Sequence, residues 1–312
     1  MHIRHFLSIH DLPPDGFWHL IDLARDIKLN PASYLHTLDG RALAMVFEKA
    51  SLRTRVTFEV GIQQLGGFAV YLAPGDIGLG KREAVIDVAR NLSRWVDGIM
   101  ARTFDHATIV NLAEHATVPV INGLTDMLHP CQAMADYLTM LEHRGRLHGL
   151  CIAYVGDGNN VAHSLMFGAA RCGARLSIAT PHGYEPDRRI VLAAREDARS
   201  SGATIELTDD LREALIDTDV VYTDTWVSMG HEAETASRRE AFAAYQVNAR
   251  LMAYARPDAI FMHCLPCHRG EEVTDDVIES PQSVVYDQAE NRLHMQKAIM
   301  LDLMGMSGEQ HA

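Results

Sequence analysis

The feature that most constrains the fold is a regular alternation of short apolar, β-rich runs with stretches of helical spacing. The runs are RALAMVFE, GFAVYLA, DGIMART, TVPVING, LCIAYVG, ARLSIAT, ATIELTD, DVVYTD, AIFMHC and SVVYDQ. Segments such as EAVIDVARNLSRWV and VAHSLMFGAARCG lie between them. Because a repeated strand–helix–strand order produces parallel sheets covered by helices, the sequence predicts an α/β fold of doubly wound parallel sheets with helices on both faces.

The length of the chain predicts two domains. At 312 residues it exceeds the size at which a single core usually stops growing. The expected boundary is the charged turn LEHRGRLHGL, residues 141–150, before a new strand. We therefore expect an α/β domain over residues 1–145 and a second over 146–312. A long amphipathic helix at about 288–305, following the SVVYDQ run, is expected to pack across both.

Composition argues against several classes of partner. Lys and Arg total 28 against 41 Asp and Glu, a net charge of −13, which repels nucleic acid and anionic membranes. No apolar run approaches the roughly 18 residues of a membrane span. Five scattered cysteines and an N-terminal stretch unlike a signal peptide indicate free thiols and a cytoplasmic location. An anionic ligand would therefore need a local cluster of basic residues.

One such cluster follows the first strand, in FEKASLRTRVTFEVG. There Ser51, Arg53, Thr54 and Arg55 come where the strand ends and a helix begins. Unpaired helix N–H groups, hydroxyls and guanidinium groups together suit a phosphate. Taken alone, a capped helix start with solvated arginines is an equally good interpretation.

A second candidate is NGLTDMLHPCQAMADYL, in which Pro130 predicts the first turn of a helix. His129 then lies just before the helix and Gln132 within its first turn. A neutral imidazole and a carboxamide at this edge can donate to a carbonyl oxygen that becomes negative in a transition state. An incidental helix cap is the simpler interpretation of this stretch alone.

Two polar loops follow strands later in the chain. In YVGDGNNVAHS, Val161 replaces the third small residue of a dinucleotide fingerprint, so the turn is better seen as presenting Asn159 and Asn160. In YTDTWVSMGHEAE, Asp224 can bind an ammonium group, while Ser228 and the backbone at Met229 can bind a carboxylate. Together they suit a zwitterionic amino acid, although an ordinary polar loop is the alternative.

These stretches together resemble the motifs of the aspartate/ornithine transcarbamoylase family, and in particular its ornithine carbamoyltransferases. The family's S-T-R-T-R, H-P-x-Q, D-x-x-x-S-M-G and H-C-L-P motifs appear in order as Ser51–Arg55, His129–Gln132, Asp224–Gly230 and His263–Pro266. The similarity extends from about Phe47 to Lys297. The S-M-G element indicates ornithine rather than aspartate.

The resemblance implies transfer of the carbamoyl group of carbamoyl phosphate to the δ-amine of L-ornithine, giving L-citrulline and phosphate through an oxyanion-stabilised tetrahedral intermediate, with no cofactor and no metal. It implies arginine biosynthesis or urea-cycle-type metabolism, without fixing which. The catalytic residues it implies are Arg102, His129, Asp224 and Cys264. Those for carbamoyl phosphate are Ser51, Leu52, Arg53, Thr54, Arg102, His129, Gln132, Cys264, Leu265 and Arg292. Those for ornithine are Asn160, Asp224, Ser228 and Met229.

The resemblance also implies a homotrimer with active sites at subunit interfaces. Two departures bear on this picture. Leu52 stands where the family usually has Thr, and Gly78 stands where a Gln or His from a neighbouring subunit is expected to touch carbamoyl phosphate. Lys81 or Arg82 are the candidates to replace that contact.

Several alternatives remain open. A sister transcarbamoylase acting on N-acetylornithine or putrescine, a non-catalytic relative that only binds these ligands, and a nicotinamide-dependent oxidoreductase each explain part of the pattern. Cys264, Cys267 and His268 also spell C-x-x-C-H, a spacing typical of haem attachment and, with further ligands, of zinc. The family's H-C-L-P loop explains Cys264, which leaves Cys267 as the addition that completes the spacing; a redox-active cysteine pair is a further alternative.

Overall fold

The protein's structure, a computed structural model, describes residues 4–227 and 232–305. The chain divides into two compact units, one formed by Met1–Met134 with Arg292–Ala312 and the other by Ala135–Asn291. Each unit contains a parallel β-sheet with helices on its faces. The predicted fold class is thereby confirmed.

The first unit is built on a four-stranded parallel sheet in the order β2-β1-β3-β4. Its strands are β1 (Ala42–Phe47), β2 (Phe68–Leu72), β3 (Gly98–Arg102) and β4 (Val120–Leu124). Every residue of β1 is buried, as expected for a central strand covered on both faces. Since β2 and β3 flank β1 on opposite sides, the strand order switches between β1 and β3, where open α/β sheets bind ligands.

The longer helices of this unit bury apolar side chains, whereas the short helix Pro74–Ile77 has no buried residue. The helices are α1 (Gly16–Leu29), α2 (Leu52–Gln64), α3 (Pro74–Ile77), α4 (Val85–Trp95), α5 (His106–His115) and the start of α6 (Pro130–Arg144). In α4, for example, Val88, Ala89 and Leu92 are buried at helical spacing in the same apolar cluster as Ala44 and Ile99. The stripe predicted from EAVIDVARNLSRWV is therefore the face that fixes this helix.

The second unit has a five-stranded parallel sheet in the order β7-β6-β5-β8-β9. Its strands are β5 (Cys151–Val155), β6 (Arg175–Ala179), β7 (Thr204–Thr208), β8 (Val220–Thr223) and β9 (Ile260–His263). Here the order switches between β5 and β8. The loops that follow these two strands therefore meet at the carboxyl edge of the sheet.

The helices of the second unit pack closely on this sheet. They are α7 (Asn160–Cys172), α8 (Arg188–Ala198), α9 (Leu211–Leu215), α10 (Thr235–Phe242), α11 (Ala249–Met252) and α12 (Asp275–Ile278), together with the later part of α6. A Cβ at Gly168 of α7 would lie 2.0 Å from the ring of Tyr137 on α6. That contact requires glycine, because real Cβ atoms do not approach other atoms so closely.

The last helix, α13, spans Val285–Met304. Its first residues belong to the second unit and those from Arg292 onward to the first, in agreement with the predicted helix shared by both. The strand predicted at SVVYDQ, residues 283–288, is wrong, because only an isolated bridge joins Ser283 to Phe261. The buried positions Val285, Gln288 and Arg292 recur at helical rather than alternating spacing. None of the described helices combines the length and apolarity needed to cross a membrane.

Candidate active site

In the first unit, the predicted phosphate motif lies at the start of α2, just beyond the carboxyl end of β1. Ser51 precedes the helix in an extended conformation and its side chain does not cap the helix. Leu52 is 74% exposed, Arg53 is half-buried and Thr54 is buried. The first turn of α2 thus presents N–H groups and side chains at the switch point between β1 and β3, as phosphate binding requires.

Thr54 connects this turn to two arginines from elsewhere in the unit. Its Oγ1 accepts hydrogen bonds from Arg102, at 3.3 Å, and from Arg292, at 3.2 Å. Arg292 is nearly inaccessible to solvent and also donates to the side-chain oxygen of Gln132. The end of β3 and the starts of α2 and α6 are therefore joined to α13 by charged hydrogen bonds.

His129 is buried immediately before α6. Burial lowers its pKa well below the ordinary value, and the nearby charges of Arg292, Arg102 and Arg53 lower it further. The imidazole is therefore neutral at neutral pH, which suits a hydrogen-bond donor to a carbonyl oxygen. Thr125 fixes the approach to this position, because its hydroxyl accepts from the N–H groups of Met127 and Leu128. Sequence reasoning missed Thr125.

Arg55, which the sequence placed with Arg53, is turned away from this group. Its guanidinium lies 3.7 Å from the centre of the Tyr71 ring and 3.4 Å from the carboxylate of Glu59. Arg53 and Arg55 are two residues apart in α2, and side chains at that spacing lie on different faces of a helix. Arg53, Arg102 and Arg292 all lie near enough to His129 to lower its pKa, whereas Arg55 is not among them.

In the second unit, Asp224 follows β8 and is buried. One carboxylate oxygen accepts from the side-chain amide of Asn159 at 2.7 Å, and the other accepts from the thiol of Cys264 at 3.0 Å. The Asn159 oxygen meanwhile caps α7 by accepting from the N–H groups of Val161 and Ala162. Asp224 is thus held by two neutral donors on neighbouring strand ends.

The glycine-rich turn before α7 requires its unusual composition. A Cβ at Gly158 would lie 2.2 Å from the backbone nitrogen of Pro186, so no larger residue fits there. The turn delivers Asn159 to Asp224 and leaves Asn160, predicted for ornithine, half-buried at the first position of α7. Asn159 was noted as part of the turn but was not predicted to hold Asp224; its place as a helix N-cap was the available signal.

Arg238 is a second residue that sequence reasoning missed. This buried side chain of α10 lies 2.9 Å from the carboxylate of Asp157 and donates to the carbonyl oxygen of Trp226 at 3.0 Å. It therefore holds segments on both sides of the Asn159–Asp224 pair. Nothing in the local sequence distinguishes it from the exposed arginines. The predicted ornithine ligands Ser228 and Met229 lie outside the described residues.

The H-C-L-P loop begins at the end of β9. Leu265 has a positive φ of 57°, and its N–H donates to Nδ1 of His263 at 2.8 Å. That bond leaves the hydrogen of the His263 ring on Nε2, which faces Glu272 at 3.3 Å. Cys264 is left half-exposed beside Asp224. The predicted pair Asp224 and Cys264 is therefore brought together, with Leu265 next to it.

The C-x-x-C-H spacing does not assemble as a single cluster. All five cysteines are thiols. Cys267 packs against an apolar cluster that includes Trp226 and Phe242, and burial raises the pKa of its thiol. Among the described residues, Cys264 is grouped with Asp224 and His263, whereas His268 is grouped with Glu271 and Glu272. The haem and C-x-x-C-H zinc alternatives find no support in this arrangement.

Gly78, the second departure from the family pattern, ends the short helix α3 with a positive φ of 60°. A Cβ there would lie 3.0 Å from the Cβ of Arg82, and the conformation itself favours glycine. Lys81 and Arg82 are both exposed. The turn therefore displays two cations on the surface of the first unit.

Comparison with known proteins agrees with this arrangement. Residues 4–142 match the family model for the aspartate/ornithine carbamoyltransferase carbamoyl-P binding domain, and residues 148–303 match that for the Asp/Orn binding domain. Together they account for most of the chain. The chain therefore belongs to the aspartate/ornithine carbamoyltransferase family.

Individual relatives narrow the class further. The chain is 59% identical to the ornithine carbamoyltransferase of Thermococcus kodakarensis over 97% of this chain and 96% of that one. It is 52% identical, with the same coverage, to a Pyrococcus furiosus protein named as the anabolic ornithine carbamoyltransferase. The structures of ornithine carbamoyltransferases from P. furiosus and Thermus thermophilus superpose with TM-scores of 0.94 and 0.87, at 52% and 44% identity; each match covers 97% of this chain, and 97% and 100% of those chains. The prediction of an enzyme of the ornithine carbamoyltransferase type is confirmed.

Proposed function

We propose that the chain transfers the carbamoyl group of carbamoyl phosphate to the δ-amine of L-ornithine, giving L-citrulline and phosphate. The observation that carries the proposal is the pair Arg102 and Arg292 on Thr54, with Gln132 bound to Arg292, at the carboxyl edge of the first sheet. In a chain of net charge −13, such a concentration of guanidinium groups is best explained by an anionic substrate. The likeness to relatives with this name supports the acceptor.

In the donor half, Ser51, Leu52, Arg53 and Thr54 would hold the phosphate at the N-terminus of α2. Arg102, His129, Gln132 and Arg292 would surround the carbamoyl group and donate to its oxygen as negative charge develops. One such donor is worth roughly 2.7–4 kcal/mol in comparable sites. The resemblance adds Cys264 and Leu265 to the carbamoyl phosphate ligands. We assign this binding to the domain predicted over residues 1–145.

In the acceptor half, which we assign to the domain over residues 146–312, Asp224 would bind the ammonium group of ornithine. Asn160, Ser228 and the backbone at Met229 would bind its α-carboxylate. The δ-amine of free ornithine resembles that of lysine, with a pKa of about 10.4, and must be neutral to attack. Asp224 and Cys264 are the groups placed to assist that step, and a phosphate oxygen would take the proton afterwards.

Orientation would supply much of the rate. Holding two reactants in register can remove on the order of 7–11 kcal/mol from a bimolecular barrier. Carbamoyl phosphate already carries a good leaving group, so we propose that no cofactor or metal takes part in the transfer. The anabolic name of one relative supports arginine biosynthesis as the setting.

The test is citrulline formation by purified, chelator-treated protein supplied with carbamoyl phosphate and ornithine. N-acetylornithine, putrescine and aspartate are tested in parallel. Turnover with ornithine alone is the expected result. Product from another amine instead would keep the donor half and overturn the acceptor assignment, while saturable ligand binding without product would favour a non-catalytic relative. Absence of NADH binding would exclude the alternative of a nicotinamide-dependent oxidoreductase.

We further propose a homotrimer in which a neighbouring subunit completes each active site. Large apolar side chains stand exposed on α2 and the edge strand β2, including Leu52 at 74% and Phe68 at 53%, which suits burial in an interface. Lys81, on the turn after Gly78, would supply the neighbour's contact. Lys81→Ala and Arg53→Ala chains, each impaired alone, should regain activity when unfolded and reassembled together, because some mixed trimers then contain intact sites.

Two outcomes would contradict the trimer proposal: a monomeric mass by light scattering, or mixed chains no more active than the separate variants.

We also propose a cytoplasmic location. The thiol state of all five cysteines supports a reducing compartment. Fractionation of source cells with antibody detection of the chain tests this directly.

A further inference from the structure

The loop that follows Cys264 carries a second group of side chains, which the carbamoyl transfer does not use. In this group, His268, Glu271 and Glu272 bring one nitrogen and carboxylate oxygens within 4.8 Å of one another. All three come shortly after β9, in the segment CHRGEE. Imidazole and carboxylate ligands in such a cluster are those that zinc and its neighbours among the divalent transition metals accept.

The carboxylate of Glu272 is prepared for a further partner. Its side chain is fully buried, and its Oε1 accepts from the backbone N–H of His268 and from the ring of His263. Its Oε2 is also buried but receives no hydrogen bond among the described residues. A buried carboxylate oxygen without a donor is costly unless something else binds it. The oxygen is therefore a position for a cation.

The distance between Oε2 and the nearest basic nitrogen fits a shared ion better than a hydrogen bond. Nδ1 of His268 lies 3.6 Å from this oxygen, beyond hydrogen-bond range. Two ligands on the same tetrahedral zinc ion, at bond lengths of 2.0–2.2 Å, are separated by roughly 3.3–3.6 Å. Both carboxylate oxygens of Glu271 accept from Arg239, and one of them lies within 4.8 Å of the ligand atoms of His268 and Glu272.

From this geometry we propose that His268, Glu271 and Glu272 form a binding site for a divalent transition-metal ion of the zinc class, with water as the remaining ligand. His268 is 53% exposed, so an ion can enter from solvent. Because Glu272 also holds His263, an ion on Oε2 would fix the base of the H-C-L-P loop. The site is separate from carbamoyl transfer and does not depend on the function proposed above.

The other candidate group, Asp224, His263 and Cys264, is a weaker metal site. The thiol of Cys264 donates a hydrogen bond to the carboxylate of Asp224. Both ring nitrogens of His263 also have partners, namely Leu265 and Glu272. Binding there would break several of these bonds. The histidine of the C-x-x-C-H spacing is therefore the proposed metal ligand, while its cysteines are not.

The experiment is equilibrium dialysis of chelator-treated, full-length protein against Zn²⁺, with bound metal measured by mass spectrometry. Wild type is expected to bind one equivalent through this site. His268→Ala and Glu272→Gln should each weaken that binding by at least the 10–100-fold that loss of an outer-shell partner produces. Since His268 is largely exposed, its alanine variant should fold and retain carbamoyl transfer, which is measured alongside.

Matched controls separate this site from others. His182 and Glu185 form a pair on an exposed turn, with the side chain of His182 98% exposed, but without a buried carboxylate. His182→Ala, Cys264→Ala and Cys267→Ala should therefore leave zinc affinity unchanged. Bound Co²⁺ should lack the intense near-ultraviolet charge-transfer band of a thiolate ligand. No zinc binding by wild type, unchanged binding in both His268→Ala and Glu272→Gln, or loss of binding in Cys264→Ala would each overturn the proposal.

Discussion

The two units place opposite charges at the carboxyl edges of their sheets. In the first, guanidinium groups of Arg102 and Arg292 converge on one hydroxyl. In the second, the carboxylate of Asp224 is held by an amide and a thiol. The first arrangement brings cations together, and the second surrounds a carboxylate with neutral hydrogen-bond donors. Under the function proposed above, each unit would thus meet a substrate group of the opposite sign.

This difference shows which half of the site is electrostatically unfavourable to assemble. Like charges placed together repel, so the donor half must be held by surrounding structure; burial lowers the pKa of His129 there, and the nearby cations lower it further. A buried carboxylate bonded only to neutral groups is less crowded but still gains from an incoming ammonium group. We therefore expect substitutions in the donor half to affect the chemical step most, and those in the acceptor half to affect substrate binding.

The largest expected effect comes from Arg102→Met, which removes one donor to the developing oxyanion. The kcat should fall about 10²- to 10³-fold, measured with both substrates saturating. Arg102→Lys keeps the charge but loses the planar fork, so its activity should lie between those of wild type and Arg102→Met. A kcat near that of wild type in Arg102→Met would show that the donor half does not act on the transition state.

Asp224→Asn tests the acceptor half at nearly constant shape. A hydrogen bond to a charged group contributes about 1.5–3 kcal/mol, so kcat/KM for ornithine should fall about 10- to 150-fold. The KM for carbamoyl phosphate should stay near that of wild type, because Asp224 belongs to the other unit. Equal increases in both KM values would break the proposed division of labour.

Arg53→Ala and Arg55→Ala form a matched pair within one motif. Arg53 is half-exposed, so its loss should cost the lower end of the charge-assisted range, about 1.5 kcal/mol, or roughly tenfold in kcat/KM for carbamoyl phosphate. Arg55 contacts Tyr71 and Glu59 instead, and its loss should change the same constant much less. If the two variants are equally impaired, the structure has assigned the wrong arginine.

The contrast between Arg53 and Arg55 also shows what the sequence alone can predict. The short apolar runs predicted the central strands correctly, because strands such as β1 are covered on both faces and are therefore apolar throughout. The same prediction failed at SVVYDQ, where Val284, Val285 and Tyr286 resemble a strand although α13 already begins at Val285. There the helical spacing of buried positions extends beyond the short window that suggested β-structure.

The residues of the site likewise divide into those that the sequence could place and those that it could not. Motif residues such as His129 and Asp224 could be placed because each follows a strand, and strand ends share one edge of a parallel sheet. Asn159 and Arg238 act through partners distant in sequence, namely Asp224 and Asp157. A polar residue's long-range partner leaves no mark in its own neighbourhood. Such supporting contacts therefore become visible only in the folded structure, even where the residue types are evident from the sequence.

The smallest effect, and the one that probes the donor half without substrate, concerns His129 and pH. Its pKa is lowered in the folded state, so below about 6.5 the unfolded chain binds a proton that the folded chain does not. The free energy of unfolding should therefore fall as pH decreases below that value, by up to about 1.4 kcal/mol per pH unit, until the folded-state pKa is reached. Above about pH 6.5 this contribution does not change.

Urea unfolding of wild type and His129→Gln at several pH values between 7.5 and 5 isolates this contribution as the difference between the two proteins. The variant should lose the part of the pH dependence that belongs to His129, while other groups contribute equally to both. The fluorescence of Trp226 reports the second unit, and that of Trp18 and Trp95 the first. Single-tryptophan versions should therefore show the difference through the first unit. Identical pH dependence in the two proteins would mean that His129 accepts its proton in the folded state, and the burial of this side chain among the cations of the donor half would then be less than the structure indicates.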